Sequence, residues 1–253
     1  MESLDSMNCS KQVVCISPLP TASIWQDVLA QAVTGELMAS MNYTALSTIC
    51  DDPEEIAEAL EHAQGEQGHA AAFFAEGNKI GVNVPINVNA KYWRRIREAF
   101  MRSIAERDFI ACLIVQEIML ESFAVASYTR VGKAAPGSLG ETFAAIAAEE
   151  EGHIEHALEL LRTERARDTG RFDEKVYRLH LDVMTTLTEM VAKECRHGKC
   201  DLCHSDCVKP SLSEVGLSTA ELRGASLQQY LNSLDALGLP GEVTLQWVTQ
   251  LPV

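Results

Sequence analysis

At 253 residues the chain is long enough for one large domain with a substantial core, and 47% hydrophobic with 23% charged residues is the composition of an ordinary folded protein, not a disordered or fibrous one. The formal net charge of -15 repels phosphate backbones and anionic lipid surfaces, which excludes nucleic acid as a partner and argues against a membrane surface.

In chain order, residues 1–22 carry no basic leader and only one short apolar run, VVCI, so they read as a flexible tail, with no signal peptide or anchor. Strand-like alternation is scarce from there on, and residues 23–253 read as a single helical domain. A first helix runs from Ser23, a suitable N-cap, to about Ile49. Asp51, Asp52 and Pro53 then end one helix and open a second, which reaches about Ile80 and stops in GVNVPINVN. A third segment starts near Lys91 with the polar stretch KYWRRIREAFMRSIAERD. It leads into residues 109–128, FIACLIVQEIMLESFAVASY, which are long and apolar enough to span a bilayer. Gln116, Glu117 and Glu121 sit at their centre, where ionisable groups are expensive in lipid, so this segment reads as a helix buried in protein and no integral membrane segment is expected.

KAAPGS breaks the pattern, and Ser138 is placed to cap a helix reaching about Asp168. Another helix covers roughly 172–194, a cysteine-rich loop spans 195–210, and Ser218 with Glu221 has capping-box spacing for one more helix. Long central helices with shorter outer ones predict the all-α class: a four-helix bundle with additional outer and C-terminal helices.

Two Glu-x-x-His pairs lie on these helices, Glu66 with His69 and Glu150 with His153. Residues three apart share a helix face, so each pair aims a carboxylate and an imidazole at one spot. With 7 histidines in a Glu-rich chain, chance supplies roughly one such match, and Glu194 with His197 is read as accidental. Two lone carboxylates carry the stronger signal. Glu36 has Leu29, Ala32, Val33, Ala39 and Tyr43 as helical neighbours, and Glu121 has Ile114, Ile118, Ala124, Val125 and Tyr128, so neither lies on a solvent face. A buried ionised carboxylate needs a partner, and a metal accounts for both lone glutamates and both pairs at once. One Glu from each of two helices with Glu-x-x-His from two others is the known ligand pattern of ferritin-like di-iron and di-manganese sites. Mixed oxygen and nitrogen ligands suit iron or manganese, and a manganese–iron pair would use the same set.

At these residues the sequence resembles the cyanobacterial aldehyde-deformylating oxygenases, a family of soluble ferritin-like di-iron enzymes. QEIMLESFAVASY is similar to the segment around that family's third metal carboxylate and GELMASMNYTALSTI to the segment around its first, over about residues 24 to 168. The resemblance implies Glu36, Glu66, His69, Glu121, Glu150 and His153 as ligands of two iron ions, preferring Glu121 over Glu117 and Glu150 over Glu149. It implies supporting roles for Tyr43, Gln116, Tyr128 and Glu149, which fall where the family has polar groups beside its metals. It also implies conversion of a fatty aldehyde, with dioxygen and electrons from a donor such as ferredoxin and its reductase, into an alkane one carbon shorter plus formate, in the cytoplasm. Such a substrate needs an apolar tunnel, for which Met38, Met41, Phe73, Tyr92, Trp93 and Phe123 are the candidate lining. The sequence departs from the family at Tyr92 and Trp93 in place of a phenylalanine pair, at Glu76 in place of a cysteine and at Val131 in place of a tyrosine.

CRHGKCDLCHSDC places Cys195, Cys200, Cys203 and Cys207 in one short loop, a candidate zinc site or redox-sensitive thiol group that this family does not account for. The same ligands serve other di-iron oxidations, such as hydroxylation, desaturation or N-oxygenation. A different class, ferroxidase or iron-handling ferritin-like proteins, shares them too.

Overall fold

The computed structural model describes residues 21–193 and 212–252, and every secondary-structure element among them is helical. The cysteine-rich loop, with Cys195, Cys200, Cys203 and Cys207, lies outside the described residues, as does almost all of the amino-terminal tail. Helix α1 (Thr21–Leu46) pairs with α2 (Pro53–Lys79) across a six-residue connection, 47–52. Helix α3 (Lys91–Ala105) leads to α4 (Phe109–Leu113), which continues through a π-helical segment (Ile114–Leu120) into α5 (Glu121–Ala134). Helix α6 (Gly137–Arg167) folds back along α5, and the two pairs meet to make the bundle. On its outside lie α7 (Thr169–Leu179), a second π segment (His180–Met184) running into α8 (Thr185–Lys193), then α9 (Thr219–Ala236) and α10 (Gly241–Thr249).

Local chemistry explains most boundaries. Asp52 caps α2, its side chain accepting from the Glu54 amide at 2.8 Å, with Pro53 in the first turn. Asp108 caps α4 in the same way and also receives Lys175 at 2.5 Å, which ties α7 to the bundle. Helix α1 stops at Leu46, three residues before the expected end at Ile49, because its last turn tightens. The Thr48 and Ile49 amides bond three residues back, while the Ser47 and Thr48 hydroxyls take carbonyls that would have continued the helix. Two expected caps are corrected. Helix α1 already includes Thr21 and Ala22, so Ser23 lies inside its first turn, and α6 opens behind Pro136, leaving the Ser138 hydroxyl to donate to Glu76 at 2.7 Å. Ser218 does cap α9, accepting from the Glu221 amide. The extra helix α10 and both π segments have no counterpart in the sequence expectation.

The segment 109–134 is apolar and long enough to cross a membrane, but 78% of its most apolar window is buried by the other helices, and it forms the core strut of the bundle. Its tight packing on α6 requires glycine. A Cβ on Gly140 would lie 2.7 Å from the Gly132 carbonyl oxygen, and one on Gly132 3.1 Å from that of Gly140.

On the outer layer, His180 is 1% exposed, stacked on Tyr230 and bonded to its hydroxyl at 3.2 Å. Burial pushes its pKa down to about 4, only partly opposed by the Trp247 carbonyl. The unfolded chain protonates this histidine near pH 6.5 and the folded chain does not, so its contribution is complete above that pH and is lost as pH falls from about 6.5 to about 4. The loss is at most about 3 kcal/mol. Urea titrations of wild type and His180→Gln should therefore diverge at neutral pH and converge towards about pH 5. An equal stability gap at both pH values would show that the imidazole does not titrate this way.

Candidate metal centre

Helical spacing turns the four-part pattern into a single cluster. Glu36 on α1, Glu66 and His69 on α2, Glu121 at the start of α5, and Glu150 and His153 on α6 all project to the middle of the bundle. All four carboxylates are at most 3% exposed. The donor atoms fall into two groups, Glu36–Glu66–His69–Glu150 and Glu66–Glu121–Glu150–His153, each with its donor atoms within 4.8 Å of one another. Glu66 and Glu150 belong to both, so the two groups overlap through two central carboxylates, and each could hold a metal ion. Sequence reasoning nominated these six residues, and the structure brings all six together.

The ring of His69 sets Nδ1 2.9 Å from Glu150 Oε1, 3.5 Å from Glu36 Oε2 and 3.6 Å from Glu66 Oε2. Its Nε2 bonds the Glu149 carboxylate at 2.9 Å, which fixes the ring with the other nitrogen facing inward. His153 Nδ1 lies 2.8 Å from Glu150 Oε2 and 4.0 Å from Glu66 Oε1. Despite these short ion-pair distances, both oxygens of Glu66, both of Glu150 and Nδ1 of each histidine have no hydrogen-bond partner of proper geometry. Buried polar atoms are normally satisfied, so six convergent unsatisfied donors fit a cation that would supply the missing partner. A hard, carboxylate-rich set with two imidazoles suits a divalent transition metal.

The electrostatics of the protein atoms point the same way. Burial, with Glu36 and Glu150 nearby, holds the Glu66 carboxyl well above the ordinary range, although His69 works against it. Glu121 is raised likewise, by burial and then by Glu150 and Glu66. At Glu150 burial also favours the neutral acid, but His153 and His69 outweigh it and its pKa falls. Burial disfavours charge on His69 and His153 as well, and the surrounding carboxylates reverse that and raise both. In the metal-free chain the two imidazoles thus act as the counter-ions of the cluster.

The four supporting residues named from the sequence all have specific partners. The Tyr128 hydroxyl donates to Glu36 Oε1, and Gln116 Nε2 donates to Glu121 Oε1 at 2.7 Å. Glu149 bonds His69 from an exposed position. Tyr43 makes no hydrogen bond to the six residues: its ring meets that of His153 edge-on with centroids 6.3 Å apart, and its hydroxyl donates to Glu117 Oε1 at 2.5 Å. Sequence reasoning missed Asn42, whose amide donates to Gln116 Oε1 at 2.8 Å and whose oxygen accepts from Arg97 at 3.2 Å. It also missed His62, stacked on His153 with ring centroids 4.3 Å apart. A signal for His62 was present, since it lies four residues before Glu66 and shares its helix face.

A cavity of about 330 Å³ opens against Glu36, Glu121, Gln116 and Tyr128 and runs between α1, α5, α8 and α9. Of the six residues expected to line a tunnel, Trp93 and Phe123 do. The other four are not in the wall of this cavity. Met38 and Tyr92 are buried in the core, Phe73 is buried against Tyr128 and Phe143, and Met41 is 40% exposed, because their helix faces turn away from the cavity. The wall comes instead from residues such as Gly35, Leu120, Ala124, Leu187 and Met190. Glu76 is not in it: Lys79 and Ser138 hold its carboxylate, and Lys79 keeps its pKa below the usual value. Val131 is in the wall.

The long-chain fatty aldehyde decarbonylase family model matches residues 23–227. The chain belongs to that family, and the expected aldehyde-deformylating enzyme function stands with it. A solved structure from Synechococcus, described as a protein with aldehyde deformylating oxidase activity, superposes with a TM-score of 0.76 over 91% of this chain and 98% of that one. The two are 18% identical, and the likeness speaks for the ferritin-like fold.

Replacing one central carboxyl should separate stability from metal holding. In chelator-treated protein Glu66→Gln should stabilise the fold by about 1 kcal/mol or more, a rise of roughly 2–4 °C, because the fold no longer has to hold a carboxyl that burial and its neighbours keep from ionising. The same variant should gain far less than wild type when a divalent metal is added. A metal-free variant that melts below the wild type would contradict this account of the cluster.

Proposed function

We propose that this member of the long-chain fatty aldehyde decarbonylase family is a non-haem di-iron oxygenase that converts an apolar aldehyde into an alkane one carbon shorter and formate. The observation that carries the reading is the pair of overlapping four-donor groups beside an apolar cavity. Glu36, Glu66, His69, Glu121, Glu150 and His153 would hold the two ions, Glu66 and Glu150 being common to both donor groups and His69 and His153 offering the nitrogens. Two iron ions held there supply dioxygen activation, with electrons from an external donor such as a ferredoxin and its reductase in the cytoplasm.

The remaining work is done by side chains. Tyr128 directs its hydroxyl proton at Glu36 Oε1, and Gln116 directs an amide proton at Glu121 Oε1, so the two outer carboxylates keep one orientation each. The Asn42–Arg97 pair fixes the Gln116 amide in turn. The substrate chain lies in the cavity, whose apolar wall excludes water from the reacting end. Trp93 sets much of the shape of that wall: its indole edge is 3.3 Å from the Cβ position of Gly35, and its Nε1 donates to Gln31 at 3.0 Å.

Iron-loaded protein given dioxygen, a reductant and straight-chain aldehydes of increasing length should release formate and the shortened alkane in equal amounts. Oxidation and mineralisation of ferrous iron with no aldehyde consumed would instead favour the iron-handling class. Trp93→Ala should lengthen the cavity and shift the preference for longer over shorter aldehydes by about tenfold or more in kcat/KM, each accommodated methylene being worth about 1 kcal/mol or more. An unchanged length profile would mean that the indole does not bound the substrate.

A further inference from the structure

The face between α2 and α6 is lined with metal-ligating side chains well beyond the six central residues. At the surface, His156 Nδ1 meets Glu58 Oε1 at 2.9 Å, and both side chains are about two-fifths exposed. One turn inward the ring of His62 stacks on that of His153, with 18% of the His62 side chain still open to solvent. The next turn reaches Glu66, and the one after it brings His69 to Glu149 and Glu150. Glu58, His62, Glu66 and His69 thus form one stripe on α2, facing His156, His153 and Glu149 with Glu150 on α6. From Glu58 to Glu66 the stripe covers about 12 Å of helix. The partnering of α6 with α5 is different in kind, made by close-packed glycines and Phe143.

Glu117 stands beside this stripe and the centre does not use it. It is 2% exposed, its Oε1 accepts from Tyr43 and lies 3.8 Å from His62 Nδ1, and its Oε2 is buried with no hydrogen-bond partner. A buried carboxylate oxygen without a partner costs stability unless something with positive charge visits it. The net charge of -15, with Glu54, Glu55, Glu61, Glu151 and Glu155 on the same two helices, concentrates cations at the outer end of the stripe.

We propose that Glu117 and His62 form a transit site for a divalent cation, on an entry route that begins at Glu58 and His156 and ends at the paired central positions. The carboxylate and the imidazole take over a cation as it leaves its water shell, and hand it to Glu66, Glu150 and His153 one turn further in. Tyr43 holds Glu117 in place while leaving Oε2 free for the ion. This inference rests on the six central residues being metal ligands.

The test is the rate at which metal-depleted full-length protein takes up Co²⁺, followed by its ligand-field absorbance. His62→Phe keeps the ring stacked on His153 and Glu117→Gln keeps the acceptor for Tyr43, so the double variant removes the ligands with little change in packing. It should load about tenfold or more slowly than wild type yet reach the same final content of two ions per chain, with Glu58→Gln/His156→Gln slower as well. Equal loading rates would overturn the route. A double variant whose final content falls together with its rate would also overturn it, since the two residues would then be holding the centre itself. Wild type that binds no Co²⁺ at all would bring down the reading of the six residues and this route with it.

Discussion

Four carboxylates share the centre of this bundle out of reach of water, and the architecture follows from that constraint. Burying one ionised carboxylate is costly, and burying several together adds repulsion to the cost. Two histidines offset part of this in the metal-free chain: the carboxylates raise the pKa values of His69 and His153, and these in turn lower that of Glu150. They do not satisfy the geometry, because both oxygens of Glu66 and of Glu150 remain without hydrogen bonds. The fold therefore keeps a cluster that is poorly stable by itself and whose unpaired atoms a cation could satisfy.

Holding it open is the task of the π segment at Ile114–Leu120. A regular α-helix places residues 116 and 121 on different faces, whereas the wider π turn brings positions five apart into line. Gln116 can then donate to Glu121, five residues on, while Glu117 also points inward. The same segment supplies Ile114, Val115, Ile118 and Met119 to the apolar core, so local irregularity at the site costs little in packing. Asn42 and Arg97 extend the support to α1 and α3.

The site was more legible in the sequence than the fold around it. Glu-x-x-His is a local pattern, read from one helix at a time, and the burial of Glu36 and Glu121 follows from neighbours three and four positions away. Those signals survive whatever the rest of the chain does. The π segment at 114–120 leaves no such trace, because the sequence around it, FIACLIVQEIML, is apolar on nearly every face and offers no phase for an inserted residue to shift. The cavity wall was also mostly invisible. Met38 and Phe73 are apolar residues near the ligands in sequence, but lining a cavity depends on how helices rotate against each other. Gly35 and Ala124, which do line it, matter for the volume they lack. Helix α10 escaped notice because GEVTLQWVT is short and ambiguous in period, and it is fixed by tertiary contacts such as the one from His180 to the Trp247 carbonyl.

The ligands and the cavity divide the chemistry between them, and Gly35 is where they join. It precedes Glu36 on α1, so the residue that makes room for the Trp93 indole is adjacent to one that faces the metal positions. A Cβ at position 35 would sit 3.3 Å from the indole edge, so the Trp93 ring would have to give by a few tenths of an ångström beside the residue that aims Glu36. The shape of the substrate space and the orientation of an outer carboxylate are therefore coupled through one backbone segment. A wall residue on α8 or α9, such as Leu187 or Leu222, lacks that connection. Substrate range can accordingly drift at the outer end of the cavity while the inner end stays tied to the metal centre.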